Sequence, residues 1–298
     1  MCGIVGIYYK NKALANDLGS SLAAMLVQMS DRGPDSAGVA IYREPEHGST
    51  LKISLYSSAS YDWDALEAEL GAALGAAVEH TVHATHALFT LPENNFDPGA
   101  WLRENHPDLR VMSAGHAIEI YKEKGSPRDF VRQFSLQDFT GSHALGHTRM
   151  ATESAVTTEH SHPFSTGMDL CLVHNGSLSN HNRLRSSLRK HGVEIQTDND
   201  SEVAAGYLMW RLREGDTLHE ALENALQDLD GFYTLAIGTR HGFAVLRDPI
   251  ACKPAVLAET DDWVAMASEF RAIAQLDGVE HATIWEPAPA TIYAWGGD

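Results

Sequence analysis

The sequence predicts an α+β fold: an αββα sandwich of two mainly antiparallel sheets flanked by helices. Three observations carry this. β-rich runs open the chain, helix-like stretches fill its middle, and four or five further β-like runs close it. No repeat, low-complexity tract or composition break marks a linker, so residues 1–298 read as one domain with a long insertion at about 43–143.

Cys2–Tyr9 is apolar and β-rich, a buried strand. Leu18, Leu22, Met25, Leu26 and Met29 recur at helical spacing, and Gly33-Pro34 stops that helix. Ala37–Tyr42 and Leu51–Tyr56 read as strands, the second alternating through Leu51, Ile53 and Leu55. Asp62–Ala77 reads as a helix with an acidic first turn. From Thr81 to Phe139 the pattern blurs: a strand around Val82–Leu91, a loop at Pro92–Pro98, then short amphipathic pieces. It sharpens again with strands at Ala144–Arg149 and Leu170–His174 and helices at His181–His191, Ser201–Arg213 and about 218–229. The closing strands are Tyr233–Gly238, Phe243–Arg247, Ala255–Glu259, Val264–Ser268 and Thr291–Trp295.

The 22 basic and 40 acidic residues give a formal charge of −18, and no basic stripe offsets it, which argues against nucleic acid. Three cysteines (Cys2, Cys171, Cys252) with no C-x-x-C pair form no disulfide framework. No secretory signal and no membrane-length apolar run are present, so a cytoplasmic protein with no membrane association is expected. His80, His83 and His86 are three apart, but the segment reads as a strand without acidic or thiol partners in the sequence nearby. No metal site is expected there. Walker and dinucleotide fingerprints are absent.

Cys2 follows the initiator methionine. If Met1 is removed, one residue carries a thiol, pKa about 8.5, and an α-amine, pKa about 7.7–8.0. The free amine then serves as the base for its own thiol during attack on a carbonyl. Four polar clusters stand at strand ends or in loops, where sites are usually built: Arg32–Ser36, His147-Thr148-Arg149, His174-Asn175-Gly176 and Asp198–Glu202. Each taken alone also fits a turn or a helix cap.

Together with Cys-Gly-Ile-Val-Gly at 2–6, Arg-Gly-Pro-Asp-Ser-Ala-Gly at 32–38, His-Pro-Phe at 162–164, Asp-Ser-Glu at 200–202, Gly-Phe-Tyr at 231–233, Arg-Asp-Pro at 247–249, Lys-Pro at 253–254 and Ser-Glu at 268–269, these clusters resemble the class II glutamine amidotransferases. That family is of the N-terminal-nucleophile hydrolase type. The resemblance spans nearly the whole chain except about 43–143. It implies Cys2 as nucleophile, with the Asn175 side-chain amide and the Gly176 N–H as oxyanion donors. It also implies Arg149 on the substrate α-carboxylate, Asp200 on its α-ammonium, and Arg32, Gly33 and Thr152 bordering the pocket. Met150 departs from the aromatic residue that many relatives carry, which bears on the pocket wall.

Nothing long enough for a synthase half follows the amidotransferase signature. The passages at 117–122 and 147–156 look most like glutamate-synthase-type subunits, closest to the N-methylglutamate synthase type. That resemblance implies no cofactor in this chain and flavin-binding synthase partners, with FMN and, as a further candidate, an iron–sulfur cluster on those subunits. Glutamine or another γ-glutamyl amide is the expected substrate. The alternative is a non-catalytic amino-acid-binding or assembly subunit of the same complex, in which Cys2 never becomes N-terminal.

Overall fold

The computed structural model describes residues 2–44, 50–150 and 156–296. The chain opens with β1 (Gly3–Tyr9), α1 (Leu18–Gln28) and β2 (Ser36–Tyr42). β3 (Thr50–Tyr56), α2 (Trp63–Leu74), β4 (Glu79–His83), β5 (His86–Pro92), α3 (Pro98–Asn105) and β6 (Arg110–Gly115) follow. Next come β7 (Ile118–Lys124), α4 (Pro127–Gln133), β8 (His143–Arg149), β9 (Phe164–Gly167) and β10 (Leu170–Leu178). Three helices, α5 (His181–Lys190), α6 (Asp200–Arg213) and α7 (Leu218–Asp228), lead to β11 (Gly231–Thr239) and β12 (Gly242–Arg247). β13 (Val256–Glu259), β14 (Trp263–Ala267), α8 (Phe270–Ile273), β15 (Thr283–Trp285) and β16 (Ile292–Gly296) complete it.

Two sheets form the sandwich: a seven-stranded one, ordered β15-β13-β14-β1-β8-β2-β7, and a five-stranded one, ordered β16-β12-β11-β10-β9. Their inner faces meet through Ile4, Tyr42, Leu145, Val173, Phe243, Val264 and Met266, all buried. Each fully buried aliphatic of this kind contributes about 1.5–3 kcal/mol relative to exposure. Outside the larger sheet, Leu22, Met25 and Leu26 of α1 pack with Phe130 of α4 and Ile273 of α8. Outside the smaller one lie Leu188 of α5, Tyr207 of α6 and Leu222 of α7. The αββα layering expected from the sequence is therefore present. Local signals agree with it: Asn199 caps α6, and Thr217 with Glu220 forms a capping box on α7.

The 43–143 segment divides differently from its sequence reading. β3 to β6 form a separate four-stranded sheet, β4-β5-β3-β6, with its own core of Ile53, Leu55, Leu66, Leu70, Phe89 and Leu102. β7 instead joins the main sheet, pairing with β2 from Ser36↔Lys124 to Tyr42↔Ile118, and α4 packs on the main core. The single strand read around Val82–Leu91 is a hairpin, because the chain turns at Ala84 with φ 55°. Two buried polar contacts tie the extra layer down. Lys52 Nζ meets Glu119 at 2.7 Å, and the Asp169 carboxylate accepts from the N–H groups of His116, Ala117 and Ile118.

Candidate active site

Three strand ends of the larger sheet converge at one edge of the sandwich. β8 lies between β1 and β2 in register Gly3↔Thr148 and Ser36↔Arg149, so Cys2, Asp35 and Arg149 come together. Cys2 is half-buried just before β1. Its carbonyl accepts from Arg32 Nε at 2.9 Å, and Arg32 Nη1 meets Glu269 at 2.6 Å. Gly33 is required by a close approach. A Cβ there would stand 2.3–2.5 Å from the Thr148–Arg149 backbone. Asp35 N–H donates to the Arg149 carbonyl, and the Thr148 hydroxyl to that of Met29, fixing the loop after α1 on the end of β8.

Arg149 is only 5% exposed. Burial pulls its pKa down from the usual guanidinium range, while Cys2, Asp35, Asp198 and Asp200 oppose that fall. A guanidinium is a planar fork of donors whose geometry matches a carboxylate in bidentate fashion.

The smaller sheet supplies the second wall. His147 Nε2 contacts the His174 carbonyl at 3.0 Å, joining β8 to β10, and His174 Nδ1 meets Ser201 Oγ at 2.9 Å. His162 packs against His147, tilted, with ring centroids 3.9 Å apart. Burial lowers all three imidazoles, His147 to about 3, so this cluster is neutral. Asn175 follows His174 in the strand. It is 3% exposed, and its Nδ2 has no hydrogen-bond partner among the described residues. A buried amide donor without a partner is costly unless something else uses it. Gly176 has φ 154°, and a Cβ there would lie 1.8 Å from the Phe232 carbonyl oxygen, so only glycine fits. Asp200 opens α6, half-buried, and accepts from Leu178 N–H at 2.8 Å.

The structure thus gathers Cys2, Arg32, Gly33, Arg149 and Asp200, with Asn175 and Gly176 on the strand bonded to β8. Thr152 lies outside the described residues. The matched pair Arg247-Asp248 is a brace. The Arg247 guanidinium donates to the carbonyls of Pro287, Ala251 and Lys253, and Asp248 accepts from the N–H groups of Tyr233, Ile250 and Ala251. Glu269 was missed as a site neighbour, although the Ser-Glu pair at 268–269 was visible. The histidine triplet splits three ways: His80 pairs with Glu67, His83 packs on Tyr121 and Phe139, and His86 is buried with its pKa lowered to about 3. The acidic partner of His80 comes from α2, not from its own strand. Among the described residues no group of His, Cys, Asp and Glu is placed to hold a metal ion, and no helix is long and apolar enough to cross a membrane. A cleft of about 620 Å³ is lined by Arg110 and Met112 of β6, Phe164 and Thr166 of β9, Gln196 and Thr197, and Glu202 of α6.

Residues 147–275 match the family described as glutamine amidotransferase domain. The glutamine amidotransferase-like protein GlxB of Rhizobium meliloti (strain 1021) is 52% identical over 297 residues, covering 99% of this chain and 98% of its own. A putative glutamine amidotransferase of Methanothermobacter thermautotrophicus is 30% identical, covering 98% of this chain and 99% of its own. Among solved structures, glutamine phosphoribosylpyrophosphate amidotransferase from B. subtilis superposes with a TM-score of 0.63 at 21% identity. That match covers 99% of this chain and 47% of the longer one, and it shows the shared fold. By this likeness along its whole length, the chain belongs to the glutamine amidotransferase family.

Proposed function

We propose that this chain is the glutaminase subunit of a flavin-dependent glutamate or N-methylglutamate synthase, acting through a Cys2 thioester. The observation that carries the glutaminase part is the buried Asn175 amide nitrogen, unpartnered on the strand that meets β8. After Met1 removal, Cys2 Sγ adds to the side-chain carbonyl carbon of glutamine while its α-amine takes the thiol proton. Asn175 Nδ2 and the Gly176 N–H receive the oxyanion that forms. Its collapse breaks the C–N bond, and the α-amine passes its proton to the departing ammonia. Water then cleaves the thioester and returns glutamate and the thiol. Arg149 holds the α-carboxylate and Asp200 the α-ammonium. Arg32 and Gly33 shape the nucleophile's side of the pocket.

The synthase partner, its FMN and an iron–sulfur cluster are supported by the sequence resemblance, and the extra sheet β4-β5-β3-β6 is the candidate docking element. Another γ-glutamyl amide fits the same roles, and Met150, 39% exposed and next to Arg149 in the chain, is the residue expected to make room for a larger amide group.

A glutamine analogue with a diazoketone in place of the amide tests this reading, with and without the flavoprotein subunits. One label is expected, at an N-terminal Cys2, with glutamine turnover faster in the complex. Cys171 should stay unlabelled, because burial pushes its thiol up to about 12. An active chain that retains Met1 would overturn the self-base mechanism, and equal turnover alone and in complex would overturn the coupling.

A further inference from the structure

Glu269 occupies the residue before the short helix α8, yet its side chain makes no capping bond there. Its carboxylate is committed elsewhere. Arg32 Nη1 meets Oε1 at 2.6 Å and Arg271 Nε meets Oε2 at 2.7 Å, with Arg271 also 3.5 Å from Asp31. The Arg32 hydrogen bond, aided by Arg271, holds the Glu269 carboxyl below its usual range. Arg32 in turn is 9% exposed and donates Nε to the carbonyl of Cys2. The topology makes this contact exact. β14 runs antiparallel beside β1 in register Val5↔Ala267, and Ser268 closes the pair by donating its N–H to the Ile4 carbonyl and accepting the Ile4 N–H on Oγ. Glu269 is the next residue, so the end of β14 delivers a carboxylate to the mouth of β1.

We infer that Glu269 is a positioning residue for the nucleophile: it aims Arg32 at the Cys2 carbonyl and so fixes the backbone from which both the thiol and the α-amine project. The inference rests on Cys2 being the nucleophile. It adds a second effect. Arg32 and Arg149 place two guanidinium charges beside Cys2, and Glu269 offsets one of them. Replacing it by a neutral amide leaves Arg32 uncompensated next to the α-amine, which lowers that amine's proton affinity. Removing the side chain frees Arg32 from its acceptor, and the Cys2 carbonyl loses its donor.

Glu269→Gln, Glu269→Ala and Glu269→Asp test this in the full complex, with circular dichroism as the folding control. Glu269→Ala is expected to lower kcat about ten-fold with KM within about two-fold, because a small misplacement of a reacting group acts on turnover more than on binding. Glu269→Asp should recover part of that loss by keeping the charge. In Glu269→Gln the acid limb of the pH profile for Cys2 alkylation by iodoacetamide should move to lower pH, with exposed Cys252 as internal reference. A raised KM at unchanged kcat would overturn the inference and assign the pair to the substrate. Wild-type behaviour of all three variants would overturn it equally. A wild type inert toward glutamine, with Cys2 alkylation still altered in Glu269→Gln, would sink the glutaminase reading and leave the positioning role standing.

Discussion

Asn175→Ala separates a donor used in the transition state from one used in the fold. The side chain is 3% exposed, but its amide nitrogen makes no bond among the described residues. Truncation therefore breaks no ground-state hydrogen bond of that nitrogen, and the backbone pairing of Asn175 with Thr234 remains. The stability change should stay about 1 kcal/mol, the ordinary cost of a single substitution. The cost in turnover is another matter. Losing one oxyanion donor removes about 2.7–4 kcal/mol of transition-state stabilisation, a fall of about a hundred- to a thousand-fold in kcat. KM should barely move, since the donor acts where charge develops and not where glutamine is gripped. Glutamate release in the assembled enzyme measures kcat and KM, urea unfolding measures stability, and Cys2 alkylation reports an intact nucleophile. Full turnover would refute the argument, and so would a loss carried entirely by KM.

Arg149→Lys should act on binding, because a point charge replaces a two-pronged guanidinium. Losing one charge-assisted hydrogen bond of about 1.5–3 kcal/mol raises KM by about ten- to a hundred-fold, and a kcat effect alone would argue against the carboxylate clamp. Acid should unfold the protein steeply. Burial lowers His86 and His147 to about 3 and His143 to about 4. Between about pH 6.5 and 4 the unfolded chain binds protons at these positions that the folded one does not, so stability is lost as pH falls. Each contributes about 1.4 kcal/mol per pH unit, and the three together about 4. Urea midpoints at pH 7, 6 and 5 measure it, and a flat series would rule the neutral buried imidazoles out.

The elements legible in the sequence are those whose apolar rhythm is uninterrupted. β1, α1, β2, β8 and the closing strands fall close to where periodicity and turn residues put them, because burial on a sheet or helix face dictates that rhythm. β7 was illegible for a specific reason. Its seven residues include Glu119, Lys122 and Glu123, all buried, and a run so charged reads as surface. Tertiary contacts make it a strand. Glu119 takes Lys52 and Arg43, Lys122 donates to the carbonyls of Glu159, Ser161 and Pro163, and Glu123 accepts from Thr85 and Thr158. None of those partners could be paired with it from spacing along the chain, since Thr158 and Thr85, like the others, lie dozens of residues from the strand. The hairpin at 79–92 was missed on similar grounds, since its tight turn uses Ala84 and Thr85 where glycine or asparagine would have signalled it.

The candidate site is legible as a set of motifs, but order and spacing alone do not tell a residue that reacts from one that braces. Arg32, Arg149 and Arg247 each sit in a matched motif, and their surroundings differ. Arg247 spends its guanidinium on three backbone carbonyls and holds the loop after β12 to the chain around Pro287. Arg149 lies at a strand end among Cys2, Asp35, Asp198 and Asp200, beside the proposed nucleophile. Arg32 stands between these cases, bonded to the Cys2 carbonyl and to a carboxylate 237 residues away. That last contact is set by β14 lying beside β1, a topological fact with no trace in local sequence. The same logic explains Asn175. A satisfied buried amide would be one more brace, whereas an unsatisfied one on a strand tied to β8 is what the proposed oxyanion role requires.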